Sequence, residues 1–166
     1  MKKILVVYYS RSGNTKKLAE AIVEGAQTIE DVEVTLKSVE QVTNDDLVAT
    51  DALIAGSPVY YGSMAAPVVD MFAKSVAVRK KMENKLGAAF ATSGHHTGGK
   101  ETTITGILQA MLISGMIVLG DPLKSGGHYG VGCVGSPDEE ALTSAQALGS
   151  RVASLLTGRT TLGTSR

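Results

Sequence analysis

The chain has no tryptophan, one cysteine (Cys133), two phenylalanines and four prolines in 166 residues. A lone cysteine closes no internal disulfide, so a disulfide framework is excluded. No apolar run approaches the roughly 20 residues that a membrane-spanning helix needs, so membrane insertion is not expected. An excess of either charge is also missing: 16 Lys and Arg balance 16 Asp and Glu, with a pI near 6.8. Without a basic field or stripe, nucleic-acid binding is not expected. Met1-Lys2-Lys3 leads straight into a short apolar run with no cleavage pattern. With the single cysteine, this points to a cytoplasmic location.

What is present suits one compact core, since 43% of the residues are hydrophobic. Residues 1–158 are expected to form a single domain, and 159–166 a frayed tail. Ile4 to Tyr8 is a continuous β-branched apolar run, the mark of a strand buried on both faces of a parallel sheet. Leu18, Ala19, Ile22, Val23 and Ala26 then recur at helical spacing, predicting a helix from about Thr15 to Thr28. Val32, Val34 and Leu36 alternate with polar residues, as an edge strand does.

Asp51–Pro58, Leu86–Ser93 and the short Met116–Gly120 read as further strands. Pro67–Val76 reads as a helix presenting Val68, Met71, Phe72 and Val76. Another helix after Gly99 presents Ile104, Ile107, Leu108, Met111 and Leu112. After a glycine-rich stretch to Gly135, Ser136 is the expected N-cap of the last helix, with Pro137 first and Glu139 completing a capping box; Gly158 stops it. Alternating strands and helices predict an α/β doubly wound parallel sheet of five strands, order 2-1-3-4-5, with helices on both faces.

In such a sheet the ligand lies beyond the carboxyl ends of the strands where the order reverses, here between strands 1 and 3. The loops concerned are Ser10–Thr15, Ser57–Ser63 and Ser93–Gly99. Ser10, Ser12 and Thr15 offer hydroxyls, Gly13 permits a tight turn, and the next helix offers free amides and the positive end of its dipole. This is a shape for phosphate, with an ordinary capped loop as the competing reading. The stretch "SRSGNTKK" has neither the spacing of a Walker A loop nor a dinucleotide fingerprint. Strand ends reading Tyr9-Ser10 and Gly56-Ser57-Pro58 lack the acids of a response-regulator receiver. Tyr60 and Tyr61 beside Gly62 could stack on a flat ring or simply pack their loop.

With these residues in place the chain resembles the flavodoxin superfamily, and within it the NAD(P)H:quinone oxidoreductases of the WrbA type. "YYSRSGNTKKLAEAI" is similar to the signature of the whole superfamily. "GSPVYYGSMAAPVVDMF", "SGHHTGGKETTITGILQAMLISGMIVLG" and "GGHYGVGCVG" look like the narrower branch, and the resemblance covers nearly the entire chain. It implies FMN, with the phosphate at Ser10, Arg11, Ser12, Gly13, Asn14 and Thr15. The isoalloxazine would lie against Pro58, Val59, Tyr60, Tyr61 and Gly62, with Ser93, Gly94, His95, Gly98 and Gly99 along its other edge.

The resemblance further implies NADH or NADPH as donor, approaching near Arg11 and Ser12, and a quinone or similar small aromatic acceptor. It is compatible with a homodimer or homotetramer, although Leu36 to Asp51 is a short interval beside that branch's insertion, which is associated with tetramer contacts. A branch tryptophan is missing, and Ile113 stands where the branch usually carries a histidine. His95 and His96 are the candidate catalytic groups, as hydrogen-bond or proton donors to a quinone oxygen; solvated loop side chains are the alternative, more so for His128. No metal site is expected, because adjacent histidines lack helical ligand spacing. Cys133 reads as a small core or loop residue and Asp121-Pro122 as a turn. The rival reading is a flavodoxin shuttling single electrons between proteins, although such carriers are usually strongly acidic and this chain is neutral. A third reading is a regulatory protein that binds no flavin.

Overall fold

The computed structural model describes residues 1–159; the remainder of the expected tail, 160–166, lies outside the described residues. The apolar run forms β1 (Lys2–Tyr8), which pairs in parallel with β2 (Val32–Ser38) on one side and β3 (Ala52–Tyr60) on the other. Beyond β3 lies β5 (Leu86–Ser93), again parallel. Ile4 and Val6 pack with Leu18, Ile22, Leu148 and Val152, whereas Leu5 and Val7 pack with Val68, Ile104, Ile107 and Met111. Successive side chains of a strand point to opposite faces, so a run apolar at every position is what burial on both faces requires.

The sheet order β2-β1-β3-β5-β6 carries the expected reversal between the first and third strands. It differs at the fifth position, which is shared by two short strands, β6 (Ile117–Val118) and β7 (Val131–Val134), both parallel to β5. Residues between them are drawn out of the sheet by a polar clasp. The buried Asp121 carboxylate accepts the amides of Gly127 (3.1 Å) and His128 (2.7 Å). Arg151 Nη1 donates to the carbonyls of Gly120 (2.9 Å) and Asp121 (2.6 Å). Asp121 is therefore a structural centre rather than a simple turn residue.

One face is covered by α1 (Asn14–Gln27) and α5 (Glu139–Leu156), and the other by α2 (Asn44–Ala49), α3 (Ala66–Lys74) and α4 (Lys100–Ile113). The pattern departs from expectation at four places. α2, unforeseen, is six residues long; Thr43 caps its start, and Lys85 Nζ donates to the carbonyls of Leu47, Val48 and Thr50 at 2.8, 2.6 and 2.6 Å at its end. Burial pushes the Lys85 pKa down, with Asp51 opposing. α3 stops at Lys74 and a 3-10 stretch follows, so Val76 is exposed. Leu112 at the end of α4 is also exposed. α5 begins at Glu139, because the Asp138 carboxylate accepts the Ala141 amide at 2.9 Å; Ser136 and Pro137 stand outside it. Beyond α5, Arg159 is tied to Glu30 and Asp31 at 3.1 Å each. Among the described residues no helix is long and apolar enough to cross a membrane.

α1 and α5 meet backbone to backbone at Gly25 and Gly149. A Cβ at Gly149 would overlap the Ile22 carbonyl and lie 2.9 Å from the Ala26 nitrogen, and one at Gly25 would overlap the Gln146 carbonyl. Since backbone cannot yield as a flexible side chain can, Gly149→Ala should lower the unfolding free energy by about 3 kcal/mol, read from the urea midpoint. An unchanged midpoint would contradict the close crossing.

Candidate functional site

The carboxyl ends of β1, β3 and β5 each lead into a loop and then a helix, and the three loops converge. After β1, Gly13 takes a left-handed conformation (φ 93°) as N-cap of α1, and an added Cβ there would meet nothing within 4 Å. Ser10 Oγ accepts the Gly13 amide at 3.1 Å and folds the loop back. The first helical bond runs from Lys17 N to Gly13 O at 3.0 Å. Glycine brings no capping side chain, so the amides of Asn14, Thr15 and Lys16 have no partner among the described residues. The Thr15 hydroxyl is turned inward, 2.8 Å from Thr92 Oγ1, so the helix end is anchored to β5 while the Thr15 amide stays on display. Ser12 and Arg11 are exposed, and Lys17 Nζ lies 3.3 Å from Ser136 Oγ.

The second segment is a hairpin rather than the loop expected from Ser57 to Ser63. β3 continues through Pro58, Val59 and Tyr60 and turns back into β4 (Ser63–Met64), antiparallel, with Tyr60 opposite Ser63. The two turn residues, Tyr61 and Gly62, have φ values of 51° and 76°, and two consecutive positive values are what a type I′ hairpin turn requires. Such a φ is costly for a bulky side chain. Tyr61 pays in strain and stands fully in solvent, while Tyr60 sets its ring edge-on to Tyr9 at 6.5 Å. Ser57 Oγ accepts the Ala65 amide at 2.8 Å and fixes the base of the hairpin.

In the third segment the buried Ser93 donates to the His95 carbonyl at 2.8 Å, and the Gly98 amide reaches the same oxygen at 3.0 Å. Gly94, His95 and His96 are exposed. His95 Nδ1 accepts the Thr97 amide at 3.2 Å, so the neutral ring carries its proton on Nε2. Gly99 (φ 104°) is a second left-handed N-cap without a capping side chain, and the first amides of α4 likewise have no partner among the described residues. By contrast, α2 and α5 are capped by Thr43 and Asp138.

Three contacts bind the segments together: Tyr9 to Tyr60, Thr15 to Thr92, and Thr102 to Gly62. In the last, Thr102 Oγ1 lies 2.6 Å from the Gly62 carbonyl and 3.0 Å from that of Gly99. A Cβ on Gly99 would fall 2.8 Å from the Gly62 Cα, so only glycine allows this approach. Tyr9, Thr92 and Thr102 were not singled out in the sequence. Thr102 at least lies inside SGHHTGGKETTITGILQAMLISGMIVLG, which carries the family resemblance, whereas the Thr15–Thr92 pairing has no local signal.

The remaining candidates lie around β7. His128 sits in the loop before β7, lining the same cleft as His96, with its amide held by Asp121. Cys133 is buried in β7; burial, with Asp138 adding and Lys100 partly offsetting, pushes its thiol up to about 11. It is therefore protonated at neutral pH and a poor nucleophile. Among the described residues no group of three or more His, Cys, Asp or Glu could hold a metal ion.

Free amides at the start of a helix, a tyrosine-glycine hairpin and a glycine-rich loop come together at the reversal point of a parallel sheet and define a doubly wound α/β protein, whose ligands as a class bind at that point. The comparisons make the class specific. The family model described as "Flavodoxin domain" matches residues 5–112. A flavodoxin of Aquifex aeolicus is 35% identical over 92% of this chain and 86% of its own length. An NAD(P)H dehydrogenase (quinone) of Archaeoglobus fulgidus is 32% identical over 92% of this chain and 96% of its own. Among solved structures, a flavodoxin from the domain Archaea is 30% identical, with a TM-score of 0.77 over 93% of this chain and 99% of that one. A WrbA-like flavodoxin from Agrobacterium tumefaciens superposes with a TM-score of 0.83 over 96% of this chain and 100% of that one; at 24% identity, it attests to the fold. The chain belongs to the flavodoxin family.

Thr102 offers a direct check on how the segments are joined. Thr102→Val should speed amide hydrogen exchange in the 61–64 turn by about tenfold, the worth of one hydrogen bond, and Thr102→Ser should restore it. Equal exchange in all three proteins would show that the hydroxyl does not hold the hairpin.

Proposed function

We propose that this flavodoxin-family protein is an FMN-binding oxidoreductase that carries two electrons from NADH or NADPH to a quinone or a similar small aromatic acceptor. The observation that supports FMN most strongly is the bare N-terminus of α1, whose partnerless amides and dipole suit a phosphate dianion. In this reading residues 1–158 are one flavin-binding domain working in the cytoplasm. Ser10, Arg11, Ser12, Gly13, Asn14 and Thr15 surround the phosphate. Pro58, Val59, Tyr60, Tyr61 and Gly62 lie along the ring, and Ser93, Gly94, His95, Gly98 and Gly99 along its other edge.

When bound, FMN supplies the hydride-accepting chemistry. The chain's own residues orient it and set access. The Tyr61–Gly62 turn and the exposed Gly94–His96 stretch leave the crevice open to solvent, which favours a small acceptor reaching it directly. His95, with its proton on Nε2, donates a hydrogen bond toward an acceptor oxygen, and the exposed His96 beside it, ring centroids 6.2 Å apart, is the second candidate donor. Arg11, Lys16 and Lys17 give the phosphate end of the crevice a cationic rim, which attracts an anionic pyridine nucleotide.

The second reading is a one-electron carrier between redox proteins, favoured by the flavodoxin relative at 35% identity. Anaerobic titration of FMN-loaded protein with NADPH and NADH, followed by benzoquinone, separates the two. The reductase reading expects the flavin to bleach with one of the nucleotides and its colour to return with quinone. A flavin that binds but is bleached by neither nucleotide would replace that reading with the carrier.

A further inference from the structure

The fifth position of the sheet ends at β7, whose outer side is open. The Gly135 amide donates to the Ser93 carbonyl at 2.8 Å, so by the two-residue alternation of a strand the main-chain groups of Gly132 and Val134 point away from β5. Among the described residues neither has a hydrogen-bond partner. This free edge is the floor of a cleft of about 460 Å³. Glu101 and Ile104 at the start of α4 form one wall, Asp138 and Ala141 at the start of α5 the other, and Tyr129 closes one end. Gly132 leaves room for the Lys100 side chain to lie against the floor, for a Cβ there would come 3.3 Å from it. The cleft lies on the β7 side of the third segment and shares His96 with the proposed flavin site, but the argument for it does not depend on that reading.

Edge strands in most sheets are blunted, because unpaired amides and carbonyls template pairing with another chain. Here the edge is instead recessed between two helix starts, which admits one extended segment and keeps out a whole sheet. The rim is acidic on balance: Glu101, Asp138 and Glu140 are all exposed, against Lys100, whose ammonium reaches toward the His96 carbonyl at 3.4 Å, and Lys17, whose ammonium lies 3.3 Å from Ser136. Both features argue against a second copy of this chain, whose own β7 is equally recessed and equally acidic.

We propose that the groove takes an extended, lysine- or arginine-bearing segment of a protein partner, which adds a strand to β7 through the outward main-chain groups of Gly132 and Val134 while its basic side chains meet Glu101, Asp138 and Glu140. Main-chain pairing supplies affinity in this mode, and the charged walls supply preference.

The test is a titration of ¹⁵N-labelled full-length protein with acetyl-Lys-Val-Lys-Val-Lys-Val-amide, followed at the Gly132 and Val134 amides. Saturable shifts at both are expected, with binding at least about tenfold weaker for the Glu-Val counterpart. The same peptide N-methylated at its valines or at its lysines should lose about tenfold in one of the two forms, because one alternate set of amides faces β7. Val134→Pro removes one outward donor at an edge where proline is tolerated and should match that loss, whereas Val134→Ala should stay within about twofold. No binding, indifference to both N-methylated forms, or equal affinity for spermidine would overturn the proposal. So would edge shifts that grow with protein concentration in the absence of peptide, since they would give the groove to a second copy.

Discussion

A glycine at a helix start leaves amides with no partner among the described residues, and the candidate site depends on that. Gly13 and Gly99 hold left-handed conformations at the starts of α1 and α4, where serine, threonine or aspartate would have capped the helix. The strand order reverses between β1 and β3 while the strands stay parallel, so these helix starts lie at the same end of the sheet, at the carboxyl ends of the strands. Thr43 at α2 and Asp138 at α5 cap in the ordinary way, and α3 starts at Ala65 with no capping side chain but with Pro67 in its first turn. The two glycine starts therefore present positive dipole ends at the carboxyl ends of the strands.

Around that opening the structure is tied tightly below and left bare above. The Thr15–Thr92 contact fixes α1 to β5, and Thr102 draws the hairpin turn onto the start of α4. Tyr61, with its positive φ, and the exposed Gly94–His96 stretch stand over this base. A rigid floor with an open mouth suits a tightly held group that must still be reached by a second molecule. On the far edge, the Asp121 and Arg151 clasp pulls the chain out of the sheet between β6 and β7 and so defines both the end of the fold and the groove along it.

Much of this was legible in the residues. Continuous apolar runs marked β1, β3 and β5, the helical spacing placed α1 to within a residue at each end, and the order reversal pointed to the three loops that do converge. What escaped depends on distant partners. The split fifth strand needs Asp121 to reach Gly127 and His128, and Arg151 to reach back across the chain. The short α2 is completed by Lys85, far along the sequence, and no local pattern announces that. At α5 the cap fell to Asp138, two residues after the expected Ser136, with Glu139 and Glu140 then in the first turn. The hairpin at Tyr61–Gly62 was masked because tyrosine is a poor predictor of a left-handed turn.

The comparison that bears most directly on the account is the affinity of the protein for FMN against riboflavin, which differ only in the phosphate. If the free amides at α1 hold that phosphate, FMN should bind at least about 100-fold more tightly, and the difference should shrink as added inorganic phosphate competes. Equal affinity for the two flavins would contradict the assignment of the α1 start as the phosphate site.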